Sequence, residues 1–145
     1  MSRRITSPFG TVMLSSDDHD GAFGRLFGDD APQGPARSPR TPAVDVYETP
    51  ESILVFVDLP GVTKQDIDLR YGDGMISISA EARGLQRDDG HWLMHERRVG
   101  RFVRGIQLGR TIDPKQVKAR FTDGILELEI TKPQGGEKAV AIEVS

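Results

Sequence analysis

Few residues in this chain could do chemistry, and they are not arranged as a catalytic or metal site. The chain has 145 residues, including three histidines and no cysteine. His91 and His95 have an i, i+4 spacing, which brings two imidazoles to one metal ion only on a helix, and the surrounding sequence is strand-like. The run from Asp17 to Asp20 could attract a divalent cation weakly, but no scaffold surrounds it. We therefore expect no metal and no cofactor.

Nucleophilic and phosphate-binding motifs are missing from the sequence. No glycine-rich stretch has the Walker or Rossmann spacing, and no serine lies in a nucleophile elbow. With Cys 0, the chain has no thiol nucleophile and no disulfide, which fits a reducing compartment. The sequence predicts that the protein is not an enzyme.

The start of the chain contains Arg3-Arg4 ahead of an uncharged stretch, as in a twin-arginine export signal. Pro8 and Gly10 interrupt that stretch, and it ends at Asp17 with no small-residue cleavage site. No run reaches the ~18 apolar residues of a membrane span. We expect a cytoplasmic protein that does not bind membranes.

Charge is distributed unevenly along the chain. Residues 44–82 contain eight acidic and two basic residues, net −6, whereas residues 83–110 contain seven arginines and three acidic residues, net +4. These blocks either meet each other, within or between chains, or the basic block binds an external anion. Nucleic acid is the weaker candidate for the segment from Arg97 to Arg104, because the domain lacks the interleaved aromatic platform of single-strand binders and the pI is about 5.6.

The first 43 residues do not read as a packed domain. Residues 28–42 contain four prolines and two glycines and cannot bury enough surface to offset the entropy of ordering them, so we interpret them as a linker. Upstream lie two apolar clusters that suit either an adhesive arm or a merely flexible terminus: Phe9, Val12, Met13, Leu14, Phe23, Leu26 and Phe27.

From Val44 the apolar residues alternate with a period of two, which predicts strands. Residues 52–59 have apolar residues at both parities and predict a central strand, and the turn at residues 72–74 predicts a half-solvated hairpin. Further alternation at 102–108, 117–121 and 126–130 completes about seven strands. We therefore predict an all-β, immunoglobulin-like antiparallel β-sandwich over residues 44–133, between a disordered N-terminal arm, 1–43, and a flexible C-terminal extension, 134–145.

Two segments interrupt this pattern and predict contacts with other chains. The long interval from Arg83 to Gly100 contains Trp92, Leu93 and Met94, which could cover their own core or form an edge strand on a partner. After Gly135-Gly136 the alternating residues Val140 to Val144 predict a strand that adds to the groove or edge of another copy, or folds back on its own domain.

Arg104 shares its parity with the apolar residues Phe102, Ile106 and Leu108. A guanidinium on that face must find carboxylates or carbonyls, because an unpaired buried charge is strongly unfavourable. We therefore expect a buried or interfacial ion pair at Arg104, with the acidic 44–82 block as the source of its partner.

Five short motifs, in order, resemble those of the small heat-shock proteins, the α-crystallin-domain chaperones of bacterial and plant type. The first four are residues 44–49 (VDVYET), 59–62 (LPGV) followed by Asp66-Ile67, 100–104 (GRFVR) and 119–126 (ARFTDGIL). The fifth is Ile142-Glu143-Val144, which is similar to the C-terminal I-x-I/V motif of the family.

The resemblance implies an ATP-independent holdase that binds unfolded or partly unfolded clients and hands them to ATP-dependent chaperones for refolding. The apolar residues of the N-terminal arm are then the first candidates for client binding. A co-chaperone or adaptor with the same sandwich, which would bind a defined folded partner, is the alternative. In this chain Leu108-Gly109 replaces the Leu-Pro that the family often has, and the arm is short, so a dimer or small oligomer is an open alternative to a large assembly.

The resemblance also implies how the subunits meet. A loop strand around Trp92, Leu93, Met94 and Glu96 would swap into the sheet of a partner to form a homodimer, with Arg104 at the interface. Ile142 and Val144 would dock into a groove of a neighbouring dimer, between the edge strands that contain Ile67, Leu69, Val117 and Ala119.

Overall fold

The computed structural model describes residues 3–7, 10–15, 40–108, 112–132 and 144. Within these residues nine strands form two sheets, and none of the helical turns is long and apolar enough to cross a membrane. The strands are β1 (Arg3–Ser7), β2 (Gly10–Ser15), β3 (Val44–Glu48), β4 (Ser52–Asp58), β5 (Ile67–Gly72), β6 (Met75–Ala82), β7 (Gly100–Gln107), β8 (Val117–Thr122) and β9 (Ile125–Thr131).

The five-stranded sheet has the order β1-β2-β7-β6-β5, and the four-stranded sheet has the order β3-β4-β9-β8. All neighbouring strands are antiparallel. Short 3-10 turns at Lys64–Asp66 and Pro114–Gln116 lead into β5 and β8. The prediction of an all-β antiparallel sandwich is confirmed.

The core lies between the two sheets and follows the predicted alternation. On β4, Ile53, Val55 and Val57 are buried, whereas Leu54 and Phe56 on the opposite face are half-buried. Because every second side chain of a strand points to the same face, the inner faces of β4, β6, β7 and β9 together build the core. Its other buried members are Leu59, Val62, Ile76, Ile78, Ala80, Ala82, Phe102, Ile106, Leu108, Ile112, Leu126, Leu128 and Ile130.

Two Asp-Gly turns close the hairpins that face each other across the sandwich. Between β5 and β6, Asp73 and Gly74 have φ of 52° and 76°, and between β8 and β9, Asp123 and Gly124 have φ of 56° and 77°. Two consecutive residues at positive φ are typical of a type I′ turn, whose twist matches that of paired strands. These turns set the register of the β5–β6 and β8–β9 pairs.

One face of β6 differs from the half-solvated hairpin that we predicted. Ser77 and Ser79, which alternate with the core residues, are buried as well. Arg101 Nε donates to Ser79 Oγ at 3.0 Å, and the sulfur of Met75 lies 3.0 Å from where a Cβ of Gly105 would be. Neighbouring side chains thus cover this face, although its serines predicted contact with solvent.

The N-terminal segment also differs from the expected flexible arm in two places. Residues 3–7 and 10–15 form β1 and β2, and β2 pairs with β7 through Met13–Ser15. A strand at the margin of a sheet exposes unsatisfied backbone groups, and β2 pairs with β7 over Gly105 to Gln107. Phe9, Phe23, Leu26 and Phe27 lie outside the described residues.

Replacing Gly124 by Ala tests the turn between β8 and β9. The nearest atoms to a Cβ at Gly124 are 3.8 Å and 3.9 Å away, so space is available and the effect comes from the positive φ of 77°. We expect Gly124→Ala to destabilise the fold by about 1–2 kcal/mol, the cost of a left-handed non-glycine residue. A urea titration followed by circular dichroism measures it. Gly90→Ala, with no atom within 4 Å of its Cβ position, is the matched control; equal midpoints for the two variants would contradict the turn assignment.

Candidate protein-interaction sites

A groove runs between β5 and β8, the edge strands on one side of the sandwich. Two adjoining cavities form it, of about 220 Å³ and about 190 Å³, and both are lined by Leu69 and Ala119. Val117 lines the larger cavity and Ile67 the smaller. The structure therefore brings together all four residues that we expected to form a tail-accepting groove.

The two cavities of the β5–β8 groove share Leu69 and Ala119 in their linings. Leu128 contributes to the floor of one cavity and Leu126 to the floor of the other. Side chains two residues apart on a strand lie on the same face, roughly 6–7 Å apart. The groove therefore matches an added strand with two apolar side chains at positions i and i+2.

Charged residues line the rim of the groove. Lys64, Arg70 and Arg120 contribute to its lining. Arg70 contacts Asp68 at 3.0 Å, and Arg120 contacts Glu127 at 2.6 Å. Three cationic residues thus line the groove, and two of them already contact carboxylates of their own chain.

Asp66 fixes the end of the groove where β5 begins. Thr63 Oγ1 donates to Asp66 Oδ2 at 2.8 Å, and Arg83 Nη2 donates to Asp66 Oδ1 at 3.2 Å. The hydrogen bond from Thr63, and after it the one from Arg83, lower the pKa of Asp66 below its usual value of 3.8. This contact ties the start of β5 to the residue that follows β6.

The loop over residues 83–99, here called the 83–99 loop, exposes the apolar patch that we predicted as a partner contact. Trp92 is 56% exposed, Leu93 93% and Met94 73%, and Glu96 is exposed too. None of these residues belongs to a strand of its own chain. Side chains of this size are rarely left in solvent as a contiguous patch without a partner.

Contacts within the 83–99 loop give it a defined shape. The rings of Trp92 and His95 stack with centroids 4.1 Å apart. Arg87 forms a bidentate pair with Asp89, with Nε to Oδ1 at 2.9 Å, and this pair lowers the pKa of Asp89. Among the residues that the structure describes, no cluster of three or more His, Asp or Glu could hold a metal ion.

The edge of the four-stranded sheet at β3 is a second exposed feature of the described residues. β3 pairs with β4 on one side and forms the margin of its sheet on the other. Tyr47 is 64% exposed there, and Asp45 and Glu48 give the strand acidic residues. Sequence analysis did not single out Tyr47, because an exposed aromatic residue and a buried one look the same in an alternating pattern.

Arg104 lies where its parity predicted, in line with the core residues Phe102 and Ile106, and it is half-buried. Its Nη1 donates to the carbonyl oxygen of Pro42 at 3.3 Å. That carbonyl is one of the two acceptor types that we expected, and it belongs to the chain just before β3. The ion pair with a carboxylate stays a prediction.

The remaining predicted residues are placed only in part. Val12, Met13 and Leu14 belong to β2, while Ile142 lies outside the described residues and Val144 is exposed. Sequence analysis missed Tyr71, which lines the groove and whose hydroxyl accepts a hydrogen bond from the Ile112 amide at 3.0 Å. Tyr71 has the same parity on β5 as the groove residues Ile67 and Leu69, and this alternation could have indicated that it lines the groove.

Comparisons with known proteins agree on one family. A model of the Hsp20/alpha crystallin family matches residues 45–145. Heat shock protein 16 of Schizosaccharomyces pombe is 33% identical over 108 residues, covering 71% of this chain and 76% of that protein. The 16.9 kDa class I heat shock protein 1 of Triticum aestivum is 34% identical over 105 residues, covering 70% of each. A solved small heat-shock protein from Xylella fastidiosa superimposes with a TM-score of 0.58 at 30% identity, covering 72% of this chain and 95% of that one.

Replacing Asp66 by Asn tests the anchor of β5. The folded-state pKa of Asp66 lies below its unfolded value, so its contribution to stability is present above about pH 3.8 and is lost as the pH falls through the folded pKa. We expect Asp66→Asn to unfold at lower urea than the native protein at pH 7, with a smaller difference between the two variants at an acidic pH below 3.8. Thr63→Val removes the hydrogen bond that is the main cause of the lowered pKa of Asp66, so it should reduce the pH dependence of stability. A urea difference that is equal at both pH values would contradict this assignment.

Proposed function

Because the chain belongs to the Hsp20/alpha crystallin family of small heat shock proteins, we propose that it is an ATP-independent holdase. The family is one of chaperones, and the finer proposal is that this protein binds partly unfolded clients and suppresses their aggregation. The observation that carries it is the open apolar groove between β5 and β8, which is built from Ile67, Leu69, Val117 and Ala119. Absence of cysteine fits the reducing cytoplasm, where we place the protein.

The proposed activity needs no catalytic chemistry. An unfolding client exposes apolar surface, and covering that surface removes it from water at about 25 cal/mol per Å². A bound client meets other clients less often, so aggregation slows. Release and refolding would be the task of ATP-dependent chaperones, since the holdase itself uses no energy source.

We assign client binding first to the apolar residues of the N-terminal arm and second to the β5–β8 groove when its tail is absent. Apolar residues on a segment that precedes the sandwich can reach clients of many shapes. The assignment covers Phe9, Val12, Met13, Leu14, Phe23, Leu26 and Phe27.

We propose a homodimer built by strand exchange. Residues Trp92 to Glu96 of one chain would add to the free edge of β3 in the partner, supplying backbone hydrogen bonds and burying Leu93 and Met94. Arg97 and Arg98 follow this segment and Asp45 lies on β3, so opposite charges would meet, while Glu48 of β3 contacts Lys132 of its own chain at 2.7 Å. Arg104, beside Pro42 at the entrance to β3, would lie at the same interface.

Larger assembly would use the tail. Ile142 and Val144 have the i, i+2 spacing that the two cavities of the groove match, and Glu143 between them would meet the basic rim at Lys64, Arg70 and Arg120. We propose that the tail of one dimer docks into the groove of another.

A thermal aggregation assay without ATP tests the holdase. We expect the protein to suppress light scattering of a heat-labile client at a 1:1 subunit ratio. Phe23→Ser/Leu26→Ser/Phe27→Ser should suppress it less, because less apolar surface is available, whereas Gln33→Ser in the linker should not change it. Full scattering with the wild-type protein at that ratio would remove the holdase proposal.

Leu93→Asp tests strand exchange. Leu93 is 93% exposed in one chain, so the change should leave the fold of that chain intact. Burying a leucine side chain contributes about 1.5–3 kcal/mol, so losing that burial at the interface should weaken dimerisation roughly tenfold or more. Analytical ultracentrifugation measures the dissociation constant. Leu85→Asp, outside the exchanged segment, is the control; dimers of unchanged affinity in Leu93→Asp would exclude this interface.

Ile142→Ala/Val144→Ala tests tail docking. We expect assemblies larger than the dimer to be lost, because the tail no longer has the two apolar side chains that would fill the groove. Ala119→Glu, which changes the groove instead of the tail, should have the same effect. Sedimentation velocity measures the size, with Lys138→Ala as the control outside the motif. If the double variant sediments like the wild-type protein, the tail does not hold the assembly together.

A further inference from the structure

The 83–99 loop holds a ring contact that requires the chain to bend back on itself. The rings of Trp92 and His95 are nearly parallel, with an interplanar angle of 7° and centroids 4.1 Å apart. Leu93 and Met94 lie between them in the sequence, and neither belongs to a strand. The stack therefore joins the two ends of a short bend. We call this arrangement the closed loop.

A β-strand cannot contain this stack. In a strand, residues i and i+3 lie on opposite faces and their Cα atoms are roughly 10 Å apart, because each residue advances the chain by about 3.3 Å. Trp92 and His95 would then point away from each other. Residues 92–96 are the segment that we propose to add to the edge of β3 in a partner. The closed loop and strand exchange therefore exclude each other.

The closed loop and the exchanged strand differ in the contacts that they make. In the closed loop, Leu93 and Met94 are exposed, while Trp92 stacks on His95 and lines a cavity of about 290 Å³. Strand exchange would bury Leu93 and Met94 against a partner and would give up the stack. Because burial of two large apolar side chains outweighs one aromatic pair, the closed loop suits a free chain and yields when a partner is at hand.

We propose that the Trp92–His95 stack is an autoinhibitory contact that keeps the loop of a free chain closed and so sets the concentration at which strand-exchanged dimers form. Opening of the stack lets residues 92–96 extend into a strand that the edge of β3 in a partner accepts. Because only open loops exchange, the closed loop raises the apparent dissociation constant of the dimer. The proposal rests on strand exchange and adds its regulation.

A double-mutant cycle on the dimer dissociation constant, measured by analytical ultracentrifugation, tests the proposal. Trp92→Leu keeps an apolar side chain but cannot stack. We expect His95→Ala to tighten the dimer roughly tenfold more with Trp92 present than in the Trp92→Leu background, because each dimer exchanges two loops and the stack is already absent from that background. A direct contact of His95 with a partner contributes in both backgrounds and cancels. His91→Ala, in the same loop but outside the stack, is the matched control and should act equally in both.

Fluorescence reports the closed loop directly, because Trp92 is the single tryptophan of the chain. In protein dilute enough to be monomeric, His95→Ala should increase the quenching of Trp92 by acrylamide, since removing the imidazole uncovers one face of the indole ring. His91→Ala should leave the quenching unchanged.

Two results would overturn the role of the stack: an equal effect of His95→Ala on the dissociation constant in both backgrounds, or unchanged acrylamide quenching in His95→Ala. Leu93→Asp separates this failure from that of strand exchange. If the Leu93→Asp dimer is weakened while the cycle shows no coupling, the stack alone loses its role. If Leu93→Asp dimerises as tightly as the wild type, strand exchange fails and its regulation by the stack fails with it.

Discussion

The unsatisfied backbone of the sheet margins is the constraint on which this structure depends. Two open sheets have four margins, and each margin presents amide and carbonyl groups that need a partner. In the described residues, β3 and β8 bound one sheet, and β5 and β1 bound the other. The acceptor surfaces that we propose are margins of this kind: the edge of β3 and the groove between β5 and β8.

The rest of the fold holds these margins in place. The core of aliphatic side chains between the sheets keeps β5 and β8 beside the same groove, and the two Asp-Gly turns fix the registers of the hairpins to which these strands belong. The contact of Asp66 with Thr63 and Arg83 fixes the start of β5. A rigid sandwich therefore presents the margins on which the proposed contacts with other segments of chain rely.

Much of this could be predicted from the sequence, because burial alternates with a period of two. The inner residues of β4 and β9, the hairpin turns and the parity of Arg104 all followed from that pattern. The groove residues came from resemblance, since no local pattern tells which edges face each other. Pairing of β2 with β7 and burial of Ser77 and Ser79 were missed, because both depend on which distant segments meet, and no local alternation records that.

Hydrogen–deuterium exchange tests the central claim most directly, that margin strands are completed by other chains. Exchange of backbone amides is compared at a concentration where the protein assembles and at one where it is monomeric. We expect amides of β3, β5 and β8 to gain protection on assembly, while those of the interior strands β4 and β9 stay equally protected. Margin amides that exchange at the same rate in both states would contradict it.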